Sequence, residues 1–248
     1  MTESTAEVVD GLDRVLRRAA DPDRAVNEKA YLKSPIDHYG VRVPAIRAAV
    51  KNLIRTQGGL THRKALAVVR RLWASPVHEQ RMAAVLLLEA HVDLLQPADL
   101  PLIENMIRGS FTWAYVDSLA ANIAGSVVKR EPELARELDR WSEDESYWIR
   151  RAALLALLEP LRSGRGDWAR FKRYSDKMLG EKEFFIRKAI GWVLRETSKK
   201  DPDRVRKYVS SRLDRMAGVT FREAVRRLPE EDREELTAAY RVARARGP

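Results

Sequence analysis

The segments "IRRAALLALLE" (149–159) and "IRKAIGWVLRE" (186–196) superimpose without a gap at an offset of 37 residues. A chain that repeats an amphipathic helix at this interval must stack helix-turn-helix units, because each unit leaves an apolar face that only a neighbour can cover. The same frame reaches "EQRMAAVLLLE" at 79–89 and shorter matches around residues 47, 117 and 222. One position per copy then falls on Arg47, Arg81, Asp117, Arg151, Lys188 and Arg222, separated by 34, 36, 34, 37 and 34 residues. Equivalent positions of a solenoid stack on one surface, so the frame predicts a concave basic face that Asp117 interrupts.

The rest of the chain agrees with a helical reading. "HRKALAVVRRLWAS", "EQRMAAVLLLEAHV" and "NIAGSVVKREPELARELDRW" carry apolar residues at i, i+3, i+4 spacing. Between them, "SPIDHYGVRVP", "RTQGGL", "LQPADLP", "LRSGRGD" and "KDPD" combine Gly or Pro with Ser or Asp, which ends helices and starts new ones. No segment alternates as a strand would. The expectation is an all-α, HEAT-like helical-repeat solenoid of about six two-helix units, forming a single domain over residues 1–248.

Composition narrows the function classes. No run reaches the about 18 apolar residues of a membrane span, and the N-terminal segment has no apolar core of a signal peptide, so a cytoplasmic protein is expected. With no cysteine and four histidines (His38, His62, His78, His91) that match no ligand spacing, neither a metal site nor a cofactor is expected. Lys and Arg exceed Asp and Glu by 10, which makes an anionic polymer the natural partner. A monomer is expected.

Trp113 precedes Asp117 by four residues and Trp192 follows Lys188 by four, so each indole shares a helix face with a stripe position. Tryptophan beside cations suits nucleic acid, where charges neutralise phosphates and rings pack on sugar or base; the competing reading is that both are core aromatics, the more frequent place for a lone tryptophan in a helix. Asp117 reads either as a structural partner of neighbouring stripe arginines or as a carboxylate that stays ionised to meet positive charge. Lys33, Arg150, Arg187 and Arg195 fit phosphate contacts or solvated helix charges, and spacing does not separate the two.

The strings "EFFIRKAIGWVLRE" (183–196), "WAYVDSLA" (113–120), "YWIRRAALL" (147–155) and "AYLKSPIDHYGVRVP" (30–44) resemble the AlkD-like DNA alkylation-repair glycosylases, and these segments span most of the chain. The resemblance implies that Asp117 is the catalytic carboxylate, that Trp113 and Trp192 are lesion-site tryptophans and that Arg151 is the active-site arginine. It places Tyr31 in the lesion-proximal region. One departure is Thr112, where the family often carries a tryptophan adjacent to the one before the aspartate. The implied activity is hydrolysis of the N-glycosidic bond of N3- or N7-alkylated purines in duplex DNA, without base flipping. Rival readings are a DNA-binding relative without chemistry and a protein-interaction scaffold.

Overall fold

The computed structural model describes residues 3–245, which form two compact units, one ending at Leu119 and the other starting at Ala120. The fold is an all-α helical repeat, with no strand among the described residues and none of their helices long and apolar enough to cross a membrane.

In the first unit the helices are α1 (Thr5–Arg18), α2 (Pro22–Leu32), α3 (Val43–Thr56), α4 (His62–Trp73), α5 (His78–Ala90), α6 (Leu100–Arg108) and α7 (Trp113–Asp117). Their starts follow from capping chemistry. Ser4 accepts from the Glu7 N–H while Glu7 reaches back to the Ser4 N–H, and Asp21 and Thr61 cap α2 and α4 in the same manner from one side. Helix α4 packs on α5, where every residue from Met82 to Leu88 is buried.

The second unit contains α8 (Gly125–Arg130), α9 (Ala135–Trp141), α10 (Tyr147–Leu155), α11 (Leu158–Arg162), α12 (Trp168–Met178), α13 (Phe184–Thr197), α14 (Pro202–Ser210), α15 (Gly218–Val225) and α16 (Glu230–Ala245). Asp167 and Asp201 cap α12 and α14, as the "SGRGD" and "KDPD" breaks foretell. Helix α13 lies against α15 so closely that a Cβ on Gly191 would stand 2.6 Å from Glu223 Cβ and 2.9 Å from the Thr220 carbonyl oxygen. Only glycine allows that approach.

The repeat is visible in the helix starts. Val43, His78, Trp113, Tyr147, Phe184 and Gly218 open helices 34 to 37 residues apart. An arginine in the first turn recurs with them: Arg81, Arg150 and Arg187 each donate to the carbonyl six residues earlier, on Ser75, Asp144 and Glu181, at 2.8, 2.6 and 2.6 Å. Each bond folds the entering turn back onto its helix.

Between α2 and α3, the segment "SPIDHYGVRVP" is fastened to the start of α5. Asp37 forms an isolated bridge with Val77, and the fully buried Glu79 accepts the N–H groups of Tyr39, Gly40 and Val41 at 2.9, 2.6 and 3.0 Å. A buried carboxylate with three N–H donors is satisfied by charge-assisted bonds, and removing it strands those donors. Glu79→Ala is expected to lower the unfolding free energy by about 3 kcal/mol in urea titration; a loss below about 0.5 kcal/mol would contradict this anchoring role.

Among the acids of the second unit that cations hold are Glu223, Asp139 and Asp176. Burial works against ionisation of Glu223, but hydrogen bonding from Lys188 and the charges of Arg195, Lys188 and Arg226 outweigh it, and its pKa is lowered from 4.5. Asp139 and Asp176 are likewise lowered from 3.8, burial being overcome by Arg170, Tyr174 and Arg173 for the first and by Arg212 for the second. A depressed folded-state pKa contributes stability that is complete above the unfolded value and disappears as pH falls through the folded one. The urea midpoint should therefore be level from neutrality to just above the ordinary carboxylate range and drop steeply below it. Glu223→Gln should flatten part of that drop, and an unchanged profile would reject the assignment.

Candidate active site

Helix α7 is capped by Thr112, an extended residue whose Oγ1 accepts the Ala114 N–H at 3.3 Å. The first helical residue, Trp113, is 36% exposed, and the ring of Tyr31 from α2, itself 73% exposed, meets it edge to face with centroids 6.4 Å apart and planes at 89°. Two large aromatic rings left facing solvent give up the burial that ordinarily stabilises them. The opposite side of α7 is fixed by Tyr115, fully buried between the edges of Trp73 and Phe111 and hydrogen-bonded to His78 Nδ1 at 2.6 Å. Burial raises the Tyr115 pKa and pushes that of His78 down to about 3, so both groups are neutral. The Arg81 guanidinium stacks on Trp73 and Phe111, 5.2 and 5.8 Å from their centroids.

Asp117, half-buried, is the last α-helical residue before a π-helical stretch, Ser118–Ala124. Such wide turns cost hydrogen-bond geometry and are frequent at functional positions. Ser118 donates to Glu89 Oε2 at 3.3 Å, and Arg47 reaches the same oxygen at 3.3 Å. Glu89 thus holds the residue next to Asp117, a role invisible in the sequence because its partners lie on α3 and after α7. Lys33 is exposed at the end of α2 in the left-handed region, φ 49°, which is sparsely populated for a residue with a Cβ.

In the second unit the remaining candidates are tied into the protein. Arg150 forms a paired bond to Glu181 at 3.0 and 2.8 Å and donates also to the carbonyls of Asp144 and Glu145. Arg151, 3% exposed, donates to the Phe185 carbonyl at 2.5 Å. Lys188 bonds Glu223 at 2.6 Å, and Arg195 pairs with the other oxygen of Glu223 and with Glu196. Arg187 is bonded to the Glu181 carbonyl, and Trp192 is half-buried on α13. A phosphate would have to compete with these bonds or share the donors. Spacing does not single out Glu181 or Glu223; Glu181 lies just before α13 and Glu223 within α15, and their partners come from other helices.

The helix starts also correct the repeat frame. Arg47, Asp117, Arg151, Lys188 and Arg222 are each the fifth residue of their helix, whereas Arg81 is the fourth of α5 and aligns with Arg150 and Arg187. The equivalent of Asp117 in α5 is Met82, which is buried. A helix buried on all sides has no polar face to fix its phase, and this is why the apolar pattern of "EQRMAAVLLLE" aligned one residue out.

Residues 12–228 match the sequence model of the family described as DNA alkylation repair enzyme. A solved structure described as a predicted DNA alkylation repair enzyme from Enterococcus faecalis shares the fold, with a TM-score of 0.75 and 22% identity over 85% of this chain and 97% of that one. No curated protein matches the chain. The family match spans α7, α10 and α13, the helices that carry Asp117, Arg151 and Trp192, and on it the chain belongs to the DNA alkylation repair enzyme family.

Proposed function

We propose that the protein is a DNA glycosylase that hydrolyses the N-glycosidic bond of cationic N3- and N7-alkylated purines in duplex DNA, without flipping the base, and leaves an abasic site. The observation that carries the reading is the solvent-facing Tyr31–Trp113 pair with Asp117 one helical turn along, at the entrance to a π-helical turn.

The chemistry needs no second carboxyl group. Ordinary glycosidases use one acid to protonate the leaving group and another group to act on the sugar. An N3- or N7-alkylpurine is already positive and leaves as a neutral base when the electrons of its bond to C1′ pass to the ring nitrogen. What remains is an oxocarbenium-like sugar, stabilised by the carboxylate charge of Asp117, and a water that attacks C1′ with its proton passing to that carboxylate or to solvent. The electron-rich face of Trp113 adds a cation–π contribution, and Trp192 is assigned the same role by its place in the family string. Glu89 and Arg47, through Ser118, set the backbone that presents Asp117.

Among the cations assigned to DNA, Lys33 is exposed, while Arg47, Arg81, Arg150, Arg151, Arg187, Lys188 and Arg195 are bonded within the protein. They supply field at the surface rather than free donors, and duplex affinity should fall steeply with salt. Asp117→Asn should abolish release of 7-methylguanine from methylated duplex DNA while leaving duplex affinity within a few fold. Unchanged turnover in that variant would reject the catalytic role, and a wild-type protein that binds duplex but releases no base would favour the DNA-binding reading.

A further inference from the structure

Three side chains from separate segments meet in the first unit: Glu28 on α2, His38 in the following loop and His78 at the start of α5. One potential ligand atom from each lies within 4.8 Å of the other two. The His38 side chain is 1% exposed, yet neither of its ring nitrogens has a hydrogen-bond partner, and Glu28 Oε2 is buried without one as well. Buried polar atoms are satisfied in the great majority of proteins, so this concentration points to a missing partner.

The geometry says which kind. Glu28 Oε2 and His38 Nδ1 are 3.7 Å apart, too far for a hydrogen bond and close to the roughly 3.4 Å between two ligands on a tetrahedral ion with bonds of about 2.0–2.1 Å. Arg24 holds the other oxygen of Glu28 at 2.8 Å, which leaves Oε2 turned toward His38. On His78, Nδ1 stands 2.6 Å from the Tyr115 hydroxyl, and that hydroxyl is also placed to donate to the His78 carbonyl at 3.4 Å. With Nδ1–H donating to Tyr115 oxygen, Nε2 carries the lone pair, the tautomer that an outer hydrogen bond imposes on a metal-binding histidine.

We propose that Glu28, His38 and His78 form a structural zinc site, with water as the fourth ligand. Two imidazoles, one carboxylate and a water make a four-coordinate zinc ligand set. The Arg24 charge is countered by Glu28, and buried Glu79 acts electrostatically on His38 to offset the ion. In this structure the two rings lie face to face, 4.3 Å between centroids and 8° between planes. Lone pairs of parallel rings do not converge, so ligation turns His38 about its Cβ–Cγ bond and draws the three ligands together. Spacing in the sequence gives no hint of the site, because its ligands come from three segments and fit no motif.

The ion would brace both rings of the candidate site. Glu28 lies one turn before Tyr31 on α2, and Tyr115, bonded to His78, follows Trp113 by two residues. The site does not depend on the glycosylase reading, and its test has no activity readout. Chelator-treated full-length protein is titrated with ZnCl2 and, separately, with CoCl2. One zinc per chain is expected to bind, raising the melting temperature by about 5 °C, and cobalt should give the visible absorption of a four-coordinate nitrogen and oxygen site. Glu28→Gln and His38→Phe should each weaken zinc binding at least about 10-fold while melting close to the chelated wild type. No stoichiometric zinc binding by the wild type, or undiminished binding in both variants, would overturn the proposal; if the variants fail to fold, an octahedral all-oxygen cobalt spectrum in the wild type would do so.

Discussion

Three N–H groups converging on the buried carboxylate of Glu79 hold the first unit in the form its site requires. A loop of the "SPIDHYGVRVP" type has backbone groups that no helix satisfies, and in water it would stay mobile. The charge of Glu79, at the N-terminal turn of α5 where the helix dipole favours an anion, gives that loop one conformation. Helix α2 runs into the loop, so the direction of α2 and the place of Tyr31 at its end follow from the same contact. His38 and the Asp37–Val77 bridge are fixed by it too.

The second unit uses the same device with side chains in place of backbone. Glu181, just before α13, gathers Arg150 from α10, and Glu223 on α15 gathers Lys188 and Arg195 from α13. A pair of charges taken from water repays its desolvation only with good geometry and further hydrogen bonds. Here Arg150 adds bonds to the Asp144 and Glu145 carbonyls of its entering turn, which satisfies donors that Glu181 leaves over. A strongly basic chain can therefore spend most of its repeat cations on its own scaffold and still carry the net charge of +10 that draws an anionic partner.

Much of this was legible in the sequence. The helical class, the turn positions and the repeat interval follow from apolar spacing and from Asp-Pro and Gly signals, as Asp201 with Pro202 and Asp167 after Gly166 show. Tyr31 and Trp113, 82 residues apart in the chain, were assigned to one function by resemblance alone, and the fold brings their rings together. What spacing missed has a physical reason in each case. The apolar pattern of α5 sets its phase one residue out because its buried stretch from Met82 to Leu88 shows no polar side. Glu79, Glu89 and Glu223 leave little trace in the sequence because an acid amid many charges reveals its partners only in three dimensions: the loop N–H groups on Glu79, Arg47 and Ser118 on Glu89, and Lys188 and Arg195 on Glu223 all come from distant segments.

Charge decides the proposed chemistry. A carboxylate placed on a surface that must hold phosphates lowers affinity unless something positive faces it during the reaction, and a cationic purine and the sugar it leaves behind are both positive. If Asp117 acts in this way, the protein selects lesions by their own lability rather than by a cavity shaped to a base. The most direct measurement compares single-turnover release of 7-methylguanine and of uracil, a neutral base, from otherwise identical duplexes. The charge account predicts steady release of the first and none detectable of the second; equal rates for the two would contradict it.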